Sequence, residues 1–554
     1  MRRRHFLTGL GATTLLGRRP AAGSPGKASV TEMDGGSAGN FQATGEVSWE
    51  EYGTRTEARL AHWGKHGRAP TESVILRGKR QLFVDNYVVE HMDNLTKTLH
   101  QPAKHEANPV LKADRPWEGN VDWASVIHDE EERLFKTWYL TANGLAYATS
   151  KDGIHWDKPS LGVREWGGNK DNSLVRPVVV SPTTIKDPYE TRPDRKYKMF
   201  ALETRPYAMY VAFSPDGIRW QRRDQPVLTS ANDPGMNDRP TMMQDHQRRR
   251  FIALLKRELI NPHGGGDWGF IHRCRTVSVS DDFERWTNPV LTLRPDDMDP
   301  PDLQIYGLVG FNYEGQYLGL ADIYRSGASG PNQRTVETQL ACSRDGEVWW
   351  RAGGRRTFIP LGPEGSWDRF GVYPNNCAPI RVGNELFIYY DGDSRRHQTG
   401  SVPSQRRGEP WFAPGHPEDP PLEPGVAISG VGLAHLRVDG FVSLDAGPRP
   451  GRLLTRPLIF AGRNLHVNVD SRQGNIKAEI LEVEPVESED PGWNWKLGNP
   501  APGFDLAACI PVQGDSTDAI VRWRGNPTLE PFTGRPMVIR FQLTQASLFS
   551  FWIE

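Results

Sequence analysis

The sequence predicts an all-β protein: a five-bladed β-propeller followed by a C-terminal β-sandwich. The main observation is an internal repeat, in which the Ser-x-Asp-Gly-x-x-Trp segment Ser150–Trp156 returns at Ser214–Trp220 and Ser343–Trp349. A fourth copy, Ser280–Trp286, keeps Ser, Asp and Trp but has Phe in place of Gly. The copies begin at residues 150, 214, 280 and 343, and a period of about 65 residues is typical of an array of like units.

Each copy follows a short run of alternating apolar and polar residues, which predicts a β-strand. The Asp-Gly pair then predicts a tight turn, because Asp accepts hydrogen bonds from nearby backbone N–H groups and Gly adopts a positive φ. The Trp falls on the next strand, where it can pack against a neighbouring unit. We therefore interpret the Asp residues of these turns as structural.

A fifth, degenerate copy is predicted at Val431–Phe441, where an Asp-Gly pair follows an alternating run. It comes after a segment rich in Pro, Gly and Arg, residues 395–425, which we interpret as one long inserted loop. Five units of four short strands fit a five-bladed propeller. Ser73–Val89 precedes the first unit and is expected to supply an outer strand that closes the ring. After Gly451 the period stops, and further alternating runs predict a β-sandwich.

These patterns divide the chain into a signal segment at 1–23, a linker at 24–72, the propeller at 73–449 and the sandwich at 450–554. Met1–Gly17 carries twin arginines before a short apolar run, which resembles a bacterial Tat signal and predicts a periplasmic or secreted protein. That run is too short to cross a bilayer, so no membrane span is expected.

The composition excludes some classes of partner. Lys and Arg number 67 against 68 Asp and Glu, a net charge of −1, so charge gives no indication of nucleic-acid binding. The four cysteines have no Cys-x-x-Cys spacing, so neither a zinc site nor another cofactor is expected, and the sequence gives no support for a structural Ca²⁺. We expect the protein to bind carbohydrate, since aromatic side chains suit the faces of sugars. We also expect it to be a monomer.

The first strand of each propeller blade lines the central channel, so the start of that strand borders the channel mouth. Aligning the first two strands of the units and counting seven residues back from the turn between them gives Asp122, Val180, Asp238, Tyr306 and Asn375. The ends of the second strands add Glu203, Glu258, Asp322 and Asp391 to the same mouth. Arg273 and Asp302 lie nearby in the sequence.

This ring of carboxylates, amides, aromatic side chains and an Arg suits the hydroxyl groups of a neutral sugar. Two carboxylates across such a pocket are typical of glycoside hydrolysis: one protonates the leaving oxygen, and the other attacks the anomeric carbon or activates water. The candidate catalytic residues are Asp122, Asp238 and Glu258. The candidate substrate-binding residues are Glu203, Arg273, Asp302, Tyr306, Asp322, Asn375 and Asp391.

Five units that include Tyr147–Trp156, with a C-terminal sandwich, resemble the five-bladed glycosidases of invertase-like family 32 and arabinanase-like family 43. Gln81–Tyr87 and Gly430–Leu444 further resemble a group of exported bacterial proteins described as family 32-like. The resemblance implies a nucleophile or base in blade one, where Asp122 lies, and an acid in blade three, where Asp238 or Glu258 lies. It also implies a stabilising Asp in blade two, but Val180 occupies that position.

The predicted function is an exported glycoside hydrolase that acts on a furanoside or a related plant or algal glycan. The alternative is a non-catalytic carbohydrate-binding propeller, which would have the same pocket but no correctly spaced pair of acids.

Overall fold

The computed structural model describes residues 73–176, 180–204, 207–260, 271–326, 334–397, 426–485, 495–525 and 527–554. In these ranges the secondary structure consists of β-strands and the short 3-10 helices Pro193–Arg195, Gly353–Arg355 and Glu530–Phe532. The prediction of an all-β protein is confirmed. The predicted signal segment and linker, and residues 398–425 of the predicted loop, lie outside the described residues. No helix of the described ranges is long and apolar enough to cross a membrane.

The first three repeat units form separate antiparallel sheets. Unit 1 has the strands Asp122–Asp129, Leu134–Thr141 and Gly144–Ser150. Unit 2 has the strands Val180–Lys186, Tyr197–Thr204, Tyr207–Ser214, Gln221–Arg222 and Leu228–Thr229. Unit 3 has the strands Thr241–Asp245, Arg250–Ile260, Ile271–Ser280 and Val290–Leu293.

Units 4 and 5 belong to one ten-stranded sheet, joined where Val336 pairs in parallel with Gly371. Unit 4 has the strands Leu303–Tyr313, Gln316–Arg325, Thr335–Ser343, Trp350–Arg351 and Thr357–Ile359. Unit 5 has the strands Gly371–Pro374, Ile380–Val382, Glu385–Asp393 and Ser429–Arg437. Its outer strand is Ala103–Lys104, which pairs with Ala434 and His435. The prediction that Ser73–Val89 supplies this strand is wrong, because its strands pair in another sheet.

The repeated segments form the same turn in units 1 to 4. Asp216 Oδ1 accepts hydrogen bonds from the backbone N–H groups two and three residues on, at 2.9 and 2.8 Å, and Gly217 has a φ of 76°. Asp152 and Asp345 accept the equivalent pairs of bonds at 2.8 Å. In unit 3, Phe283 occupies the glycine position with a φ of 67°, so the left-handed turn persists without Gly.

Each turn also contacts the preceding unit. Trp138 of unit 1 donates its indole N–H to the Gly217 carbonyl of unit 2 at 2.6 Å. Tyr389 of unit 5 donates its hydroxyl to the Gly153 carbonyl of unit 1 at 2.8 Å. The remaining consecutive units are joined by a hydrogen bond from Arg248 to the Asp345 carbonyl and by ring contacts of Phe200 with Trp286 and of Tyr313 with Phe441.

A thirteen-stranded sheet contains the C-terminal part of the chain. Its C-terminal strands are Val442–Ala446, Gly451–Thr455, Leu458–Ile459, Leu465–Pro485, Trp495–Pro500, Cys509–Ile510, Val512–Trp523, Met537–Thr544 and Ala546–Ile553. The N-terminal strands Val74–Ile75, Gln81–Leu82, Val89–Asp93 and Thr96–Leu99 join the same sheet. Buried Asp439, in the turn of unit 5, accepts hydrogen bonds from Arg80 at 2.8 Å and Ser550 at 2.6 Å, and so links the two parts of the fold.

Candidate functional site

A cavity of about 170 Å³ lies where residues of units 1, 3, 4 and 5 meet. Its walls combine carboxylates, an Arg, a His and three aromatic rings. The lining residues are Asp122, Trp123, Arg239, Tyr306, Tyr373, Asp391, Gly392, Asp393 and His397.

The inner strands of units 1 and 2 bulge directly after the residues that the sequence alignment places at their start, where the strand pairing is interrupted. The residues that follow, Trp123 and Ser181, have positive φ angles of 53° and 48°. The equivalent Arg239 precedes the first strand of unit 3 and has a φ of 63°. A bulge changes the direction of the side chains it carries. Consecutive residues Asp122 and Trp123 therefore both line the cavity, as does Arg239.

Arg239 is buried and joins units 3, 4 and 5. Its Nε donates to Asp322 at 2.6 Å, its Nη1 to Asn376 at 2.7 Å, and its Nη2 to the Pro374 carbonyl at 2.5 Å. Gly307 makes room for the ion pair, because a Cβ at this position would lie 1.8 Å from the Asp322 carboxylate. Asp322 is thus the counterion of Arg239.

Asp122 and Asp391 are neighbouring carboxyl groups in the cavity wall. The backbone N–H of Trp123 donates to Asp391 Oδ2 at 3.0 Å, which places Asp391 beside the residue that follows Asp122. Burial raises the pKa of Asp122, although the Asn120 amide, which donates to Asp122, acts in the opposite direction. Burial and the negative charge of Asp122 raise the pKa of Asp391 to about 8. At neutral pH, Asp391 is therefore mostly protonated.

Asp238 lies next to the cavity in an ion pair with Lys256, whose side chain is almost fully buried. Burial acts to raise the pKa of Asp238, but the charge of Lys256 outweighs it and the pKa is lowered. Burial lowers the pKa of Lys256 to about 8, against the opposing effect of Asp238. The hydroxyl of Tyr306 lies 3.5 Å from the same Asp238 oxygen. The ring of His397, whose pKa burial lowers to about 3, lies 4.8 Å from that of Tyr306.

Glu258 and Arg273 face each other on neighbouring strands of unit 3. Arg273 Nε lies 3.8 Å from Glu258 Oε1, and Arg273 Nη1 donates to Gln304 at 2.7 Å. The Arg273 guanidinium is also 5.6 Å from the ring centre of Tyr306, a residue of the cavity wall. The Glu258 side chain is 28% exposed, so its carboxylate is open to solvent beside the cavity.

Some of the residues predicted for the site meet in the structure and others do not. Asp122, Tyr306 and Asp391 line the cavity. Asp238, Glu258, Arg273 and Asp322 are linked to its walls by the contacts described above, and the buried amide of Asn375 faces Asp391. Glu203 and Asp302 are not among the lining residues. Glu203 pairs instead with Arg222 at 2.9 Å, and Asp302 accepts a hydrogen bond from Ser326 through its backbone carbonyl.

Sequence reasoning missed Trp123, Arg239, Lys256, Asp393 and His397, and it did not include Tyr373 among the candidate site residues. Lys256, Tyr373 and Asp393 each lie two residues from a predicted site residue. Alternate residues of a strand point to the same face, so this spacing could have identified them. Trp123 and Arg239 required knowledge of their positive φ angles, and His397, which lies at the start of the predicted loop, carries no sequence signal.

Within the described ranges, no group of three or more His, Cys, Asp or Glu side chains is arranged to hold a metal ion.

No family model matches the chain. Two uncharacterized proteins from Mycobacterium tuberculosis strains, CDC 1551 and H37Rv, are each 28% identical over 178 residues, covering 29% of this chain and 53% of the relative. The chain thus spans about half the length of the curated relatives it matches.

Many of the similar solved structures are glycoside hydrolases. The chain is similar to an N-acetylgalactosamine deacetylase from F. plautii (15% identity, 63% of this chain, 97% of the other, TM-score 0.41). It is also similar to the family 32 β-fructofuranosidase of Bombyx mori (11% identity, 82% and 93% coverage, TM-score 0.38). A third similar structure is a family 130 glycoside hydrolase that targets β-1,2 mannosidic linkages in Candida mannan (13% identity, 61% and 94%, TM-score 0.40). Because these identities and TM-scores are low, the function of this chain is inferred from its own cavity.

Proposed function

We propose that the five repeat units form a five-bladed β-propeller with a β-sandwich after it. The support is the series of contacts between consecutive turns and units, in which the bond from Tyr389 to the Gly153 carbonyl returns from unit 5 to unit 1. In the C-terminal sheet, Leu465–Pro485 pairs with Ala546–Ile553 through its first part and with Met537–Thr544 through its second part. A strand that changes partner in this way lets a sheet fold over itself into two layers.

The protein is, on this proposal, an exported glycoside hydrolase that acts on a furanoside or a related plant or algal glycan. The observation that carries it is the cavity itself, whose walls combine Asp122 with the rings of Trp123, Tyr306 and Tyr373. Aromatic rings stack on the apolar faces of sugars, and carboxyl groups bind hydroxyls and supply acid–base catalysis. Export follows from the twin-arginine segment at the N-terminus.

Asp122 is the proposed nucleophile or base, because it lines the cavity and receives the Asn120 amide hydrogen bond. Asp238 and Glu258 are the candidates for the proton donor, and their environments differ. Asp238 is held ionised by Lys256, whereas Glu258 is partly exposed and its carboxylate lies 3.8 Å from Arg273. We therefore favour Glu258 as the donor and assign Asp238 the role of binding Lys256.

The substrate is proposed to be neutral at the bond that is cleaved. The cations around the cavity already have acidic partners in the fold, since Arg239 pairs with Asp322 and Lys256 pairs with Asp238. A carboxylate or sulfate on the sugar would have to compete with these partners. The cavity volume of about 170 Å³ is close to that of one sugar ring.

A non-catalytic carbohydrate-binding propeller is the second candidate, and the ion pair of Asp238 with Lys256 favours it, because a catalytic acid cannot hold its proton in such a pair. The test is to incubate the protein with aryl glycosides of furanoses and pyranoses and with plant and algal polysaccharides, and to measure released sugar. Binding to a glycan array is measured in parallel. Release supports the hydrolase, and binding without release on any substrate supports the second candidate.

A further inference from the structure

Asp391 has too few partners to hold a buried negative charge. The residue is 5% exposed, and its Oδ2 accepts a hydrogen bond from the backbone N–H of Trp123. The Asn375 amide and the Ala124 N–H also act to lower the pKa of Asp391, but they do not outweigh its burial. Its Oδ1 is buried and has no hydrogen-bond partner in the part of the chain that the structure describes. An ionised oxygen in this position is strongly disfavoured, and a carboxyl group so placed stays neutral instead.

Asp122 is placed differently. It is more exposed than Asp391, lines the cavity, and receives a side-chain hydrogen bond from Asn120. Two carboxyl groups that lie close together do not readily ionise at the same time, and they titrate as a pair in separate steps.

We propose that Asp391 and Asp122 act as a coupled pair that holds one proton at neutral pH, with the proton on Asp391 and the charge on Asp122. Asp391 is then a positioning residue, because it keeps Asp122 ionised without adding a second negative charge beside it. The catalytic use of Asp122 rests on the proposed function, whereas the shared proton does not.

The other titratable groups around Asp391 do not offset its burial, although the positive charge of Arg239 acts to lower its pKa. They are Arg239, which approaches from unit 3, Tyr373 on the neighbouring strand, and Cys377. Arg239 is already paired with Asp322 at 2.6 Å. Burial raises the pKa of Tyr373 well above its usual value and that of Cys377 to about 12, so both are neutral at pH 7. The raised pKa of Asp391, about 8, agrees with this arrangement.

The first test measures stability and needs no substrate. Because the pKa of Asp391 is raised on folding, its contribution to stability is complete below about pH 4, the unfolded pKa, and is lost as the pH rises through about 8. Asp391→Asn cannot ionise and escapes this loss. The melting temperature of the variant minus that of the wild type should therefore increase from pH 5 to about pH 8 and then level off. Lys256 titrates in the same range but is present in both proteins and cancels in the difference.

The matched control is Glu484→Gln, which removes an acid that pairs with Lys496 on the surface of the C-terminal sheet. The melting temperature of this variant minus that of the wild type should not increase between pH 5 and 9. If the same difference for Asp391→Asn also stays constant over this range, the proposal is overturned. If Asp391→Asn does not fold, Asp122→Asn provides the same test, because removing the neighbouring charge also reduces the loss of stability at alkaline pH.

The second test concerns the positioning role. Asn resembles a protonated Asp in shape and charge but cannot ionise. The change in the pH profile of kcat that the wild type shows as Asp391 ionises near pH 8 should therefore be absent from Asp391→Asn. An alkaline limb near pH 8 that is the same in the folded variant and the wild type would contradict a positioning role. If no glycoside is hydrolysed by the wild type, the proposed function fails, yet the stability measurement still decides whether the proton is shared.

Discussion

The carboxylates at the two ends of a repeat unit differ in how fully the fold supplies them with partners. Strand pairing places Asp129 and the Ser150 turn at one end of unit 1 and Asp122 at the other. At the turn end the acids have partners within the fold: Asp129 accepts hydrogen bonds from Lys136 and from the Tyr197 hydroxyl of the next unit. At the cavity end Asp391 leaves one oxygen without a partner among the described residues. The residues that repeat from unit to unit are therefore those that the fold requires, whereas the cavity is lined by residues that differ between units.

The largest effect should come from Asp122→Asn at the cavity end. The amide can neither attack the anomeric carbon nor accept a proton from water, yet it nearly keeps the shape of the side chain. We expect kcat to fall by roughly 10²- to 10⁴-fold, the usual contribution of such a group. The measurement is turnover on the best aryl glycoside, with sugar binding measured on the same variant.

Asp216→Asn is the matched change at the turn end, where the acid accepts backbone hydrogen bonds. It should leave kcat unchanged at a temperature where the protein is folded. If the two variants lost activity equally, the distinction between scaffold acids and site acids would be wrong.

Arg239→Met should have the next largest effect, because it removes one member of a buried ion pair near the cavity. Asp322 would be left buried and ionised, and breaking such a pair costs about 3–5 kcal/mol of unfolding free energy. Chemical denaturation measures this loss. The double variant Arg239→Met/Asp322→Asn should recover part of it, since the uncompensated charge is gone. A double variant no more stable than the single one would show that the loss comes from the other Arg239 contacts.

The sequence predicted the turn end more completely than the cavity end, for a physical reason. The turns are local: Asp216 and Gly217 lie in one short segment whose chemistry determines its backbone. The cavity end depends on long-range contacts, as when Arg239 reaches Asn376 across 137 residues of sequence. Counting along aligned strands found Asp122, but it could not reveal the positive φ angles of Trp123 and Arg239, whose side chains line the cavity. Likewise, local pattern predicted strands in Ser73–Val89 but not their pairing with the C-terminal strands.

Asp216→Ala should destabilise the protein by roughly 1–3 kcal/mol, because two backbone N–H groups lose their acceptor. Thermal unfolding measures the loss, and sugar binding at a permissive temperature should be unchanged. A stable variant that no longer bound sugar would place a functional group at the turn end and contradict the structural interpretation of these acids.

The smallest effect should come from Arg219→Ala, which tests how the turn carboxylate acts. Arg219 pairs with Asp216 at 2.7 Å, but its side chain is 73% exposed, and exposed pairs contribute at most about 1 kcal/mol. In unit 4 the equivalent residue is Val348, which cannot form an ion pair, yet Asp345 accepts the same two backbone hydrogen bonds at 2.8 Å. The turn therefore depends on the bonds to the backbone and not on the ion pair. Arg219→Ala should melt within a few degrees of the wild type at low and high salt, whereas a loss as large as that of Asp216→Ala would mean that the charge pair holds the turn.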